Sequence, residues 1–358
     1  MSRPLFALEV RATPSRAWAY LSPLLALTLT LLLGALLFIA LGKDPVSGLQ
    51  VFLLEPVKSK AAIAELLLKT TPLVLCALGL SVCYRANVWN IGAEGQLIAG
   101  GIAAGSTILM FDNGLHTLSG GMVLVLATGA GIAGGALWAS VTALLKDRFH
   151  ANEILVSLML TYIAQLLLMY LVNGPLKDPH GMNFPQSKVF SSDYLLPTLL
   201  TGSRLHIGFI VMLVATAGMT IFIYRSFAGY RLTVGGLAPL AARYAGFSSR
   251  KALWTSLLIS GGFAGLAGAF EVAGPIGQVL PSISPGYGFA AIIVAFIGRL
   301  HPVGTVFGGI ILSLFYLGGE MAQSRLGLPS AITGLFQGML LFLLLACDTL
   351  IHYRLRWK

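Results

Sequence analysis

Long apolar runs separated by short polar punctuation set the organisation of this chain. A helix needs about 20 largely apolar residues to cross hydrocarbon. Runs of that kind are predicted at Trp18–Leu41, Ala62–Tyr84, Gly92–Met110, Leu118–Leu145, Ile154–Val172 and Leu205–Tyr224. Four more follow at Ala252–Ala273, Gly286–Gly298, Val303–Glu320 and Ser330–Ala346. The eighth run is too short to cross as one straight helix. It reads as a half-helix joined to the ninth through Arg299-Leu-His-Pro302. The fold class is therefore all-α, a polytopic membrane helix bundle with about 10 transmembrane helices. One transmembrane domain takes up 1–358. It has a first helix at 17–42, helices 2–5 within 62–173 and an outer loop at 174–204. Helix 6 follows at 205–224, an inner loop at 225–251, and helices 7–10 within 252–347.

Composition agrees. The chain has 358 residues, 56% hydrophobic and 10% charged, with a mean hydropathy of +0.85. Soluble domains carry about 25% charged residues. The net charge of +10 could suggest nucleic acid. Basic excess in cytoplasmic loops explains it better. Ten spans with the N-terminus inside place fifteen of the 23 basic residues in the cytoplasm, from Arg3 through Arg85, Arg231 and Arg250 to Lys358. Both termini are then cytoplasmic, and membrane lipid is the non-protein partner. The first run is longer than a signal-peptide core of 7–15 residues. Lys43-Asp-Pro45 follows without a convincing cleavage site, so the run reads as an uncleaved helix. Cys76, Cys83 and Cys347 match no metal or redox spacing and read as packing residues.

Asn87-Val-Trp-Asn-Ile-Gly-Ala-Glu-Gly-Gln96 is the most polar stretch among these runs. A carboxylate in hydrocarbon or a tight interior must find partners. The two glycines permit backbone geometries that an ordinary membrane helix does not need. Small residues recur at helix-packing spacing in Gly101/Gly105, Gly131/Gly135, Gly261/Gly265 and Gly304/Gly308, which lets helices approach closely. The inner loop 225–251 carries five basic residues and no acid. Its middle holds a possible short helix, with Pro239 early and Gly246 as a C-terminal cap. Composition leaves two readings of it, a docking surface or an ordinary basic loop.

The chain has no G-x-x-x-x-G-K-[ST], H-E-x-x-H or G-x-S-x-G motif. It carries no ATPase site of its own and no catalytic, metal or cofactor set. The six histidines, including His116 and His206, fall at span ends or in loops, where solvation is the default. Glu65, Glu271 and Glu320 lie near outer helix ends within reach of water; Glu94 alone is deep. The candidate translocation path or gate comprises Asn87, Asn90, Glu94, Gln96, Asn152, Tyr162 and Tyr287. Amide and aromatic side chains suit the hydroxyls and ring faces of sugars and nucleosides.

Asn90-Ile-Gly-Ala-Glu-Gly-Gln96 resembles the N-x-G-x-E-G-Q segment of permease subunits in ATP-binding-cassette (ABC) importers of the simple-sugar and nucleoside type. These belong to the branched-chain amino acid and ribose permease superfamily. Asn152-Glu-Ile-Leu-Val-Ser-Leu-Met-Leu-Thr-Tyr-Ile-Ala164 is similar to the N-E-[VI]-…-M-L-N-Y-I-A helix, with Thr161 where the family has Asn. Gly174-Pro-Leu-Lys-Asp-Pro179 with Phe184-Pro-Gln-Ser187 looks like the outer loop. Gly286-Tyr-Gly-Phe289 and Ala295-Phe-Ile-Gly-Arg-Leu-His-Pro-Val-Gly304 resemble the late signature. Gly236-Leu-Ala-Pro-Leu-Ala-Ala-Arg-Tyr-Ala-Gly246 fits the family's coupling form, G-x-x-P-x-A-A-x-x-x-G.

The resemblance implies that Gly236, Pro239, Ala241, Ala242, Arg243 and Gly246 dock on a separate ATPase subunit. It implies ATP and Mg bound by that partner, a second permease subunit forming a heterodimer, and an extracytoplasmic substrate-binding lipoprotein. No nucleic acid is involved. The setting is the bacterial cytoplasmic (inner) membrane, multi-pass, and the cargo a nucleoside or simple sugar. The alternative is an autonomous channel or ion-coupled secondary transporter, supported by Glu94 and the glycine-interrupted segment.

Overall fold

The computed structural model describes residues 6–11, 13, 15–112, 114, 118–181 and 183–357. Arg3, His116 and Lys358 lie outside the described residues. The structure is 76% helical, with two short strands among the described residues. In chain order come β1 (Phe6–Val10), α1 (Arg16–Ala40), α2 (Pro45–Leu53), α3 (Lys60–Arg85), α4 (Ala93–Asp112), α5 (Gly120–Phe149) and α6 (Glu153–Asn173). Then follow α7 (Gly208–Arg225), α8 (Phe227–Leu237), α9 (Pro239–Tyr244), α10 (Ser249–Glu271), α11 (Tyr287–Ile297), α12 (Pro302–Leu326), α13 (Ala331–His352) and β2 (Tyr353–Trp357).

Local chemistry starts these helices where they start. Asp44 caps α2 by accepting from the Ser47 amide at 2.7 Å, with Pro45 in the first turn. Asn152 caps α6 through the Ile154 and Leu155 amides. Ser226 caps α8 and Ser248 caps α10. Past α10 the chain continues as one wide turn, Val272–Ile276, where Pro275 lacks the amide an ordinary turn would use.

Among the described residues, eight helices are long and apolar enough to cross a membrane. α4 is 20 residues long but carries Glu94, Gln96 and four glycines, which lower its hydropathy. α11, with 11 residues, is about 16 Å long at 1.5 Å per residue. It is the half-helix expected from the short eighth run. The inner loop is more ordered than the sequence suggests, whereas the outer loop has only the short helical turn Ser192–Tyr194. α8 is a separate helix inside the inner loop, and α2 precedes the second span.

The chain divides into two compact units, Met1–Ile63 with Leu314–Lys358, and Ala64–Ser313. In the first, α1 packs along α13. Phe52 stacks on Phe336 at 4.3 Å and meets Phe315 edge-on at 5.5 Å. β1 and β2 pair antiparallel, from Phe6 opposite Trp357 to Val10 opposite Tyr353. In the second unit α4, α5 and α10 pack on one another. Glycine allows it: a Cβ on Gly265 would lie 2.2 Å from the Gly131 carbonyl oxygen, and one on Gly135 would lie 2.2 Å from that of Gly261.

Two expectations fail. Glu271, expected to reach water, is 6% exposed. His206, expected to be solvated, is 2% exposed. Its ring fills the space left by Gly208 and Gly274, where added Cβ atoms would come within 2.5 and 2.7 Å of it.

Candidate functional site

The 225–251 segment folds into two helices with fixed ends. Pro239 opens α9 in its first turn, where its missing amide costs nothing. At the other end Gly246 adopts φ +78°. The Phe247 amide then donates to the Ala242 carbonyl at 2.9 Å and the Gly246 amide to that of Arg243 at 3.0 Å. That pairing is the Schellman cap. Phe247 is held by Phe227 and Tyr230, at 5.9 and 6.3 Å between ring centroids. The Arg231 guanidinium carbon lies 5.6 and 5.7 Å from the Phe227 and Phe247 rings.

So fixed, α9 presents apolar side chains to the outside. Leu240 and Tyr244, one helical turn apart, are 84% and 96% exposed, and Leu237 is 81% exposed. Ala242 is 4% exposed and faces the protein, while Ala241 and Arg243 are exposed. Gly236 is a packing position, since a Cβ there would lie 2.0 Å from the Arg85 carbonyl oxygen. A cavity of about 840 Å³ lies behind the segment, lined by Arg231, Arg243, Lys251, Val88, Ala86 and Trp254 among others. The motif spacing singles out the alanines. The exposed Leu240 and Tyr244 are missed, although an apolar pair at i, i+4 in a basic loop is a readable signal.

The polar stretch Asn87–Gln96 lies between α3 and α4. Asn87 adopts φ +54° and closes α3: the Val88 amide donates to the Cys83 carbonyl and the Asn87 amide to that of Tyr84. Among residues other than glycine, Asn tolerates this conformation well. Gly92 and Gly95 are not in that region. They are needed for close approach, because Cβ atoms there would lie 2.8 Å from the Ser157 carbonyl oxygen and 2.7 Å from the Thr161 Cα. The Asn90 amide donates to Gln96 and to the Ser260 hydroxyl, each at 3.0 Å. Its Oδ1 accepts from the Gly92 amide at 2.9 Å. Asn90 and Gln96 are buried in a network that the protein itself satisfies.

Glu94 joins two helix starts. Its Oε2 accepts from the Gly288 amide at 2.7 Å. A Cβ on Gly288 would lie 2.2 Å from the Glu94 amide nitrogen, so the first turn of α11 lies against the first turn of α4. A carboxylate at a helix N-terminus meets unsatisfied amides and the positive end of the helix dipole. Tyr287, beside it, is 4% exposed. Tyr162 is 59% exposed on α6, apart from this junction, and Asn152 is occupied as a cap. The structure thus gathers Asn90, Glu94, Gln96 and Tyr287 into the interior.

At its other end α11 stops at a Schellman cap of the same kind. The Leu300 amide donates to the Ala295 carbonyl at 2.8 Å and the Arg299 amide to that of Phe296 at 3.0 Å. Here Arg299 and Leu300 take φ +56° and +55°. Side chains resist this region by about 1–2 kcal/mol per residue. His301 then opens α12, its Nδ1 accepting from the Val303 amide at 3.2 Å.

At the opposite end of this unit, Arg204 binds Glu65 through two nitrogens, at 2.8 and 3.0 Å. The buried Glu271 and Lys69 lie within electrostatic reach of this pair, a grouping that the carboxylates alone reveal only in part.

Known proteins resemble this chain closely enough to place it. The family described as branched-chain amino acid transport system / permease component matches residues 62–345. A glucose ABC transporter permease protein of Haloferax volcanii is 32% identical over 360 residues, spanning 97% of this chain and 93% of that protein. A guanosine ABC transporter permease protein of Bacillus subtilis is 34% identical over 317 residues, spanning 87% and 89% respectively. A nucleoside ABC transporter permease protein of Lactococcus lactis is 28% identical over 330 residues, spanning 90% and 89%. With its apolar helices and its α4, α5 and α10 core, the chain belongs to this permease-component family: it is a multi-pass membrane subunit of an ABC importer of the sugar and nucleoside type, a kind of subunit that works with an ATPase.

Proposed function

We propose that this chain is one of two permease subunits that together carry a nucleoside or simple sugar across the cytoplasmic membrane. One observation carries the reading: α9 is fixed at both ends and exposes Leu240 and Tyr244 from a basic segment. An exposed apolar patch on a rigid element calls for a partner. We assign that partner as the ATPase subunit, which binds ATP and Mg. α8 and α9 then lie in the cytoplasm. The antiparallel pairing of β1 with β2 supports a layout with both termini on one side. Charge asymmetry favours the cytoplasm as that side. With α4 and α11 counted beside the eight long spans, the chain has ten membrane helices.

A substrate-binding lipoprotein delivers solute to the outer loop 174–204. The names of the relatives, glucose for one and guanosine for another, support the solute class. The interior residues Asn90, Glu94, Gln96 and Tyr287 then form the packed base of the gate, and the solute passes alongside them. Since Glu94 is taken up by the Gly288 amide, ion coupling has little to recommend it.

The test is reconstitution of the complete transporter in proteoliposomes. Binding protein loaded with guanosine, ribose or glucose should raise ATP hydrolysis and drive uptake for one of these solutes. Uptake by the purified chain without ATP or partners would instead support the channel or carrier alternative.

A further inference from the structure

Arg85, at the end of α3, meets three parts of the larger unit at once. Its Nε donates to the Leu300 carbonyl at 3.0 Å. Its Nη2 donates to the Tyr224 hydroxyl at 2.7 Å, and the guanidinium carbon lies 5.2 Å from the Tyr224 ring centroid. Its own carbonyl oxygen abuts Gly236 so closely that no side chain fits there. Tyr224 lies in the last turn of α7, two residues before the Ser226 cap of α8, so Arg85 touches the end of α7 that leads into α8 and, at Gly236, the far end of α8.

The Leu300 carbonyl belongs to the turn in which two successive residues hold left-handed backbone without glycine. Strain of this kind persists only where surrounding contacts impose it, and the Arg85 bond is one such contact. α11 connects this turn to Gly288, which packs on Glu94 and the start of α4. One short helix therefore has its last turn beside Arg85 and its first turn at the base of the gate. Only a guanidinium offers donors in a fixed fork that can hold a carbonyl and a phenol together.

We propose that Arg85 is the positioning residue that couples movement of α8 and α9 to α11, and through α11 to the α4 junction. This rests on the reading of α9 as the ATPase docking element. Displacing Gly236 pushes directly on the Arg85 backbone, and displacing Tyr224 pulls on its side chain. Either motion reaches the strained turn through the Leu300 carbonyl. Arg85 is thus a hinge pin for transport, remote from the nucleotide.

The test compares wild type, Arg85→Gln, Arg85→Lys and Tyr224→Phe in the complete reconstituted transporter. Three quantities are read: ATPase retained by the permease, ATP hydrolysed, and solute taken up. Arg85→Gln should retain the ATPase and keep hydrolysing ATP, while uptake per ATP falls about tenfold. Arg85→Lys should lie between that and wild type. Tyr224→Phe deletes one acceptor on an exposed ring and should lower uptake per ATP about twofold, which keeps the test decisive if the Arg85 variants assemble poorly. An unchanged ratio of uptake to hydrolysis, whether both rates hold or both fall together, would overturn the proposal. Wild-type permease that never retains the ATPase would overturn the docking reading, and this proposal with it.

Discussion

At the scale of single residues, Glu94 and His206 carry the clearest consequences. Glu94 is a buried carboxylate whose Oε2 accepts from the Gly288 amide. Gln keeps an acceptor at that place and Leu does not. A buried amide left unsatisfied costs about 1–3 kcal/mol. Glu94→Gln should therefore retain most uptake, while Glu94→Leu should lose it along with thermal stability. Equal damage from both, with a pH-dependent rate in wild type, would point to a working carboxylate instead. His206 sits just before the α7 span, and burial pushes its imidazole pKa down to about 4. Above pH 6.5 both folded and unfolded chains are neutral there, and its contribution is complete. As pH falls from 6.5 towards 4, the unfolded chain takes up a proton that the folded chain refuses. Stability should drop across that window by about 3 kcal/mol in all. Unfolding of the purified transporter at pH 7.5 and 5 checks this, and His206→Gln should flatten the dependence. A wild type as stable at pH 5 as at 7.5 would exclude it. Neither role is readable from the residue alone. A lone Glu between glycines announces its cost but not its partner, which lies 194 positions away. A histidine beside a span end gives no sign that Gly208 and the distant Gly274 make room for its ring.

At the scale of elements, most of the helices are legible, since apolar run length and capping residues act locally. Runs ending near Tyr84, Val172 and Tyr224 become helices ending at Arg85, Asn173 and Arg225. α8 is harder to see, because Arg231 and Thr233 interrupt its apolar pattern and its stability comes from Phe247 and Arg231 packing across the segment. The glycines are read correctly as packing residues along α5 and α10. At Gly92 and Gly95 the reading goes astray, since the unusual backbone belongs to Asn87 and the glycines serve only close approach. Along the α5 and α10 contact, Gly265→Leu should fail most clearly. A side chain there meets the Gly131 carbonyl and the Gly135 backbone, which cannot move aside. Overpacking of this kind costs about 1–3 kcal/mol. Size-exclusion chromatography and thermal unfolding in detergent should report a destabilised or aggregated protein. A Gly265→Leu variant with wild-type stability would show that the helices do not pack as described.

At the scale of the whole molecule, the chain is a membrane subunit of an ABC importer, and the proposal assigns it a path and a docking element. The apolar patch of α9 makes sense only with something upon it. Composition alone could not say so, because a basic loop between membrane helices is common. The motif form points to this segment, and the exposed side chains of α9 support the proposal that docking happens there. The fold names the side chains that the proposal puts against a partner, since Ala242 is turned inward while Leu240 and Tyr244 stand free of the surface. The most direct measurement is retention of the ATPase subunit by affinity-purified permease carrying Leu240→Asp and Tyr244→Asp together. The double variant should remain folded and lose the ATPase by about 30-fold or more, as expected when the central contacts of an interface are removed. Retention at the wild-type level would contradict the assignment of α9 as the docking element.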